Sequence, residues 1–159
     1  MTAEQHLQWV SDHLNQGLVW LKNQCVNDGR LSNARLDEHQ QATYDLALST
    51  SEIRCAQAYL ETARSTSDLN ETMAETFAAS MIQSTLNRLL LSPQDVGLTR
   101  AALAAPNALE AFLDANLRAE HLAKIGADLI TVNGETQGRG LPEAQQMIAE
   151  TFHQFADDV

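Results

Sequence analysis

The sequence predicts an all-α fold, namely an antiparallel bundle of four to five helices with an additional C-terminal helix after a glycine-rich linker. Apolar residues recur at steps of three and four along most of the chain, which is the spacing that lines one face of a helix. Alternation of the kind that marks β-strands extends over no useful length. The 159 residues are 44% hydrophobic with only 7 Gly and 3 Pro, a composition typical of a folded domain with a single core.

The first helix is predicted from about Ala3 to Gln24. Three turn-forming residues, Asn27, Asp28 and Gly29, then end it. Its apolar face follows the helical spacing and consists of Leu7, Val10, Leu14, Leu18, Leu21 and Cys25.

The second helix is predicted from about Leu36 to Arg64. It has a seam of small and apolar residues at alternating steps of four and three: Ala42, Leu46, Ser49, Ile53, Ala56, Leu60 and Ala63. Four further residues widen this seam: Tyr44, Leu48, Cys55 and Tyr59. A stripe of that breadth is typical of a globular bundle rather than of a coiled coil.

The third helix is predicted to begin near Asp68, which would cap it together with Glu71. Its apolar face consists of Met73, Ala74, Phe77, Ala78, Met81, Ile82, Thr85 and Leu89. Ser92 followed by Pro93 is a helix-start signal, and it predicts a short fourth helix that runs through about Ala104.

The fifth helix is predicted after Pro106, and half of its inward positions are small residues that would permit a close helix crossing. Those positions are Phe112, Ala115, Ala119, Leu122, Gly126 and Leu129. The bundle is therefore predicted over residues 1–131, followed by a glycine-rich linker over 132–140. A final amphipathic helix over 141–159 presents an apolar interaction face formed by Ile148, Phe152, Phe155 and Val159.

Composition also limits partners and location. The 10 Lys and Arg residues against 21 Asp and Glu give a formal net charge of -11, which argues against nucleic-acid and anionic-membrane partners because those are held by clustered cations. The longest apolar runs, such as Ala101 to Ala105, fall far short of the roughly 20 residues of a membrane span. With two cysteines and no apparent signal peptide, we expect a cytoplasmic protein.

No catalytic, cofactor-binding or metal-ligating residue can be assigned from the sequence. A di-iron bundle needs a Glu-x-x-His pair on each of two helices, and only Glu150 with His153 has that spacing. We interpret His6 and His13 as polar positions near the edge of the first apolar stripe, because no further ligand completes a zinc set. The two cysteines, Cys25 and Cys55, are expected to be small buried hydrophobes.

Two segments resemble parts of one enzyme family. Residues 141–159, LPEAQQMIAETFHQFADDV, resemble the opening helix of the acyl-CoA dehydrogenase catalytic domain, and they depart from it at His153 and Gln154, where basic residues are common in the family. Residues 36–48, LDEHQQATYDLAL, continuing to Leu60, are similar to the long helix of the N-terminal helical extension on acyl-CoA dehydrogenases of the (2S)-methylsuccinyl-CoA dehydrogenase type. The two segments occur in the order in which that family has them.

The resemblance implies that these residues are the extension and first catalytic-domain helix of a longer FAD-dependent enzyme that oxidises an acyl-CoA thioester. The flavin-binding strands, the CoA contacts and the catalytic Glu of the family would lie beyond Val159, so no cofactor is expected in this segment itself. The implied partner is the catalytic domain of the same enzyme or another subunit, and we expect a homo-oligomer.

Two other functions compete with this interpretation. A free-standing bundle could bind a partner protein, or a small apolar or acyl ligand in the gap left by Ala115, Ala119 and Gly126. A metal-dependent bundle enzyme is disfavoured by the ligand count. If the terminal helix belongs to a catalytic body beyond Val159, its apolar face must either fold back on the bundle or pair with another copy, and we expect self-association through this helix.

Overall fold

A computed structural model describes residues 1–27, 29–64 and 66–136. These residues form six α-helices, one 3₁₀ helix and a two-stranded hairpin, which confirms the all-α fold class. The elements in chain order are α1 (Ala3–Cys25), β1 (Val26–Asn27), β2 (Arg30–Leu31), α2 (Asn33–Glu38), α3 (Gln40–Ala63), α4 (Asp68–Leu91), the 3₁₀ helix Pro93–Val96, α5 (Asn107–Leu117) and α6 (Ala119–Thr131). The predicted terminal helix and its interaction face, Ile148, Phe152, Phe155 and Val159, lie outside the described residues.

The long helices α1, α3 and α4 pack on one another and form the centre of the bundle, while α5 packs on α4, and α6 packs on both α4 and α5. The core between them is made of small and aliphatic side chains, with the largest contributions from Leu7, Leu46, Ile53, Ile82, Leu89, Leu103 and Leu109. No helix in this described part of the chain combines the length and apolarity that crossing a bilayer requires.

Helix α1 begins at a capping box, in which the Thr2 hydroxyl accepts a hydrogen bond from the Gln5 backbone and the Gln5 side chain accepts one from the Thr2 backbone. Its buried face includes the predicted leucines except Leu18, which is exposed. The neighbouring Gly17 is buried in its place. A Cβ at Gly17 would lie only 2.9 Å from Cδ2 of Leu46. The absent side chain thus allows α1 and α3 to approach closely.

The segment predicted as one helix from Leu36 is divided. The turn after α1 is a small hairpin in which Val26 pairs with Leu31, and α2 and α3 are separated at His39, whose φ of -109° and ψ of 27° leave the helical region. The predicted seam of α3 is confirmed, since all seven of its residues are buried.

The widening of the α3 seam is wrong at two of its four positions. Tyr44 and Cys55 are exposed. Each follows a buried seam residue, Ala42 or Ile53, by two positions, and residues two apart on a helix point about 200° away from each other. The side chains therefore point away from the core.

The cap of α4 is Ser67 rather than Asp68. The Ser67 hydroxyl accepts a hydrogen bond from the Asn70 backbone at 3.3 Å. Asp68 and Glu71 lie in the first turn instead, where negative charge is favourable to the helix dipole.

The predicted fourth helix does not extend through Ala104. Only Pro93–Val96 is helical, as a 3₁₀ helix, and Gly97 ends it with a left-handed φ of 67°. A Cβ at Gly97 would lie 2.2 Å from Cγ of Trp20, so this position needs glycine for both conformation and space. The irregular segment that follows buries Leu98 and Leu103 in the core, so the predicted start of the helix was right and its predicted length was wrong.

The predicted fifth helix is two helices. Arg118 is extended, with φ -65° and ψ 140°, and separates α5 from α6. Leu109 and Ile125 are buried in α5 and α6 respectively, but in one straight helix they would be about 4.4 turns apart and thus on nearly opposite sides. The break turns both apolar faces towards α4. It also removes the predicted close crossing, since Ala115 and Ala119 are exposed.

Candidate interaction surface

An open apolar groove of about 420 Å³ lies where α4, α5 and α6 meet. It faces solvent on one side, and its lining is mostly hydrocarbon and aromatic. We call it the α4–α6 groove, and its lining residues are Tyr59, Met73, Thr76, Phe77, Ser80, Leu117, Leu122 and Ile125. The groove is a product of the break at Arg118, which sets α6 at a new angle on the bundle.

The floor of the groove is held by an aromatic pair. The rings of Tyr59 and Phe77 are 5.9 Å apart in an edge-to-face arrangement. Burial raises the pKa of Tyr59, so the phenol stays protonated at neutral pH and donates a hydrogen bond of 2.9 Å to Asn70 Oδ1. The floor is therefore fixed in place before anything binds.

The wall formed by α6 is only partly covered. Ile125 is its sole buried residue among those the structure describes, while Leu122 is 47% exposed and Ile130 is 79% exposed. Helix α6 thus presents apolar surface that the bundle does not fill. Leu122 lines the groove, whereas Ile130 lies away from it on the same helix.

Polar groups border the groove on the α4 side. His121 Nε2 and the Thr76 hydroxyl are hydrogen-bonded at 3.0 Å and join α6 to α4. Burial raises the pKa of the neighbouring Glu75 carboxyl, and the carboxylates of Glu71 and Glu4 raise it further. Ionisation of Glu75 at this border is therefore disfavoured in the folded state.

His6 is in the core, contrary to the prediction that it lies at the edge of a stripe. It is 1% exposed and stacks on Phe112 with ring centroids 4.9 Å apart, and among the described residues its Nδ1 has no hydrogen-bond partner. Burial lowers the pKa of His6, and the charge of the N-terminus lowers it further. The stacked imidazole acts as a flat core side chain between α1 and α5.

His13 is half-buried, and its Nδ1 donates a hydrogen bond of 2.8 Å to the Trp9 carbonyl.

A polar cluster joins α4 to α3. Arg88 contacts both Glu52 carboxylate oxygens at 2.9 Å and 3.1 Å, and its guanidinium also donates to the buried Ser49 hydroxyl at 2.7 Å. The cluster gives the buried Ser49 hydroxyl a hydrogen-bond partner, so the role of Arg88 and Glu52 is to join α4 to α3.

Cys25 is buried as predicted, but Cys55 is exposed and the expectation for it is wrong. Over residues 1–27, 29–64 and 66–136, no group of three or more His, Cys, Asp or Glu side chains could hold a metal ion. Glu150 and His153 lie outside those ranges.

The sequence interpretation missed the groove itself. The one signal for it in the sequence was the pronounced amphipathic pattern of Leu122, Ile125 and Leu129. This apolar face is larger than the face that a helix buries against a single neighbouring helix.

No protein-family profile matches the chain, and no curated protein sequence is significantly similar to it.

Proposed function

We propose that the chain is a non-catalytic helical interaction module, the accessory extension of an FAD-dependent acyl-CoA dehydrogenase. The observation that carries the interaction role is the α4–α6 groove, an apolar surface with a fixed aromatic floor and an incompletely covered wall. The resemblance of residues 36–60 and 141–159 to that family carries the enzyme class.

The groove suits an amphipathic helix. Helix-in-groove recognition uses anchors spaced three and four residues apart on one face, and the lining residues Phe77, Leu122 and Ile125 offer apolar contacts to such anchors. The helix would come from the catalytic body of the same enzyme or from another subunit. FAD would bind in that body, and the complete cytoplasmic enzyme would be a homo-oligomer.

The coding sequence downstream of Val159 tests the enzyme class. If the proposal is right, the reading frame continues into a flavoenzyme body, and the complete protein binds FAD and dehydrogenates an acyl-CoA. A stop codon after Val159, or a downstream body unrelated to flavoenzymes, would contradict it.

A second candidate is binding of a small apolar or acyl ligand in the same groove. The volume of about 420 Å³ falls within the range of small-molecule sites, and this location replaces the gap at Ala115, Ala119 and Gly126. Titration with a fluorescent fatty acid would detect it. Saturable binding that Leu122→Glu abolishes and Ile130→Glu preserves would favour the ligand over the helix.

A further inference from the structure

A turn with two left-handed residues ends α6. Asn133 and Gly134 both have left-handed φ values, 52° and 76°. The Gly134 N–H donates to the Leu129 carbonyl at 2.8 Å and the Asn133 N–H donates to the Ile130 carbonyl at 3.1 Å. These two bonds define a Schellman motif with Asn133 as the left-handed residue. The end of α6 is thus a built turn beside the groove wall.

Apolar residues beyond this turn have positions along their predicted helix that correspond to the positions of the groove residues along α6. Along α6, Ile125 and Leu122 lie about 9 Å and about 14 Å before the end at Thr131, at a rise of about 1.5 Å per residue. In the helix predicted after Pro142, Ile148 and Phe152 lie about 9 Å and about 15 Å from its start. A helix that returns antiparallel to α6, and starts level with the end of α6, would therefore place each of these two anchors opposite an apolar groove residue.

We propose that residues 141–159 of the same chain occupy the α4–α6 groove as an amphipathic helix antiparallel to α6. Ile148 packs against Ile125, Phe152 packs against Leu122, and Phe155 reaches the end of the groove at Leu117. This inference rests on the proposed role of the groove as a helix-binding surface and names the helix. In the complete enzyme, the first helix of the catalytic domain would then also be the contact that fixes the module.

The same chain is favoured over a second copy by the connection. Residues 132–140 link α6 to the predicted helix, and antiparallel helix pairs are usually joined by roughly two to eight residues, so the link is long enough. A tether of this kind gives an effective concentration of order millimolar. Intramolecular docking therefore prevails over exchange between chains at ordinary protein concentrations, and it replaces the self-association expected from the sequence.

Engineered cysteine pairs in the full 159-residue chain test the proposal. The background is Cys55→Ser, which removes the exposed thiol, whereas Cys25 is buried. The test pair is Leu122→Cys with Phe152→Cys, and the matched control is Ile130→Cys with Phe152→Cys. Because a disulfide needs Cα atoms within about 7 Å, mild oxidation should give an intramolecular bond at least roughly tenfold faster in the test pair than in the control.

Equal rates for the two pairs, or a disulfide that joins two chains, would overturn the proposal. A second measurement does not depend on disulfide geometry: maleimide modification of Leu122→Cys alone should accelerate by roughly tenfold when Phe152→Asp is added, because thiol reactivity follows exposure. Gln154→Asp, off the predicted face, is the control and should leave the rate unchanged. No acceleration with Phe152→Asp would also overturn it. If these tests fail while Leu122 is still covered in the complete enzyme, the groove binds another helix and only this inference is lost.

Discussion

Burial of His6 makes the stability of the bundle dependent on pH. The imidazole of His6, on α1, stacks on Phe112 in the core, and burial lowers its pKa. Below about pH 6.5, the ordinary histidine value, the unfolded chain takes up a proton that folded His6 resists. The contribution of His6 to stability is thus fully present above that pH and is lost as the pH falls through the lowered pKa of the folded state.

We therefore expect the free energy of unfolding to fall more between pH 7.5 and pH 5.5 in the wild type than in His6→Phe. Only the wild type has an imidazole at this position, and the unfolded chain protonates it more readily than the folded chain does. The phenyl ring keeps the stacking on Phe112 and cannot be protonated. Urea unfolding at the two pH values measures the difference, and carboxylates common to both proteins cancel. Identical pH dependences would show that His6 is protonated as easily in the fold as outside it.

Glu75 is expected to act in the opposite direction. Its pKa is raised by burial and by Glu71 and Glu4, so the folded chain binds its proton more readily than the unfolded chain does. The resulting stabilisation exists at low pH and disappears as the pH rises through the raised pKa. Above the raised pKa, the ionised carboxylate therefore destabilises the fold relative to the protonated form.

Glu75→Gln should accordingly raise the melting temperature at pH 7, and its advantage should shrink towards about pH 4, near the ordinary carboxyl pKa. Thermal unfolding followed by circular dichroism measures both effects. Glu61→Gln, at an exposed position of α3, is the control and should change little. A lower melting temperature for Glu75→Gln at pH 7 would refute the assigned charge repulsion.

At the scale of the element, α3 is the central support of the bundle. It packs on both α1 and α4, and Ile53 is 1% exposed in the middle of its seam. Ile53→Ala should cost about 2–5 kcal/mol of unfolding free energy, through lost burial and the cavity left behind.

The matched change is Gln57→Ala, one helical turn further along α3. Gln57 is half-buried and donates a hydrogen bond of 3.2 Å to the Ser11 hydroxyl, so its loss should cost about 1 kcal/mol. Urea denaturation of the two variants compares them. Equal losses would mean that the seam of α3 is not the main packing surface.

The seam of α3 was predictable because its spacing follows from burial on one side of a regular helix. The break at Arg118 was not, since neither Pro nor Gly marks it and only the packing of Leu109 and Ile125 against α4 selects it. The predicted length of the fourth helix was wrong for a related reason: an irregular segment, and not a helix, buries Leu98 and Leu103 in the core. Helix periodicity reports burial, and it cannot report the path the chain takes between buried residues.

The groove escaped prediction for the same reason, because its residues come from four helices whose relative positions are set by that break. The burial of His6 was not predicted because histidine counts as a polar residue in a hydrophobic pattern, although its ring can stack in a core. The amphipathic face expected for residues 141–159 lies outside the described residues and stays a prediction.

For the whole molecule, the proposal has a direct consequence for cofactor binding. The resemblance assigns the flavin-binding strands to the region beyond Val159, so the purified 159-residue chain should carry no flavin. Added FAD should bind it no better than an unrelated helical protein, as visible absorbance after gel filtration would report. A yellow preparation with stoichiometric flavin would contradict the accessory assignment.

If the α4–α6 groove is the interaction surface of the module, Leu122 is covered in the complete enzyme. The most direct measurement is the maleimide modification rate of Leu122→Cys and of Ile130→Cys, each with Cys55→Ser, in the complete enzyme made of this module and its downstream body. Exposures of 47% and 79% would give rates within about twofold if both sites were uncovered. We expect Leu122→Cys to react at least about tenfold more slowly than Ile130→Cys, and comparable rates at the two positions would contradict the role of the groove.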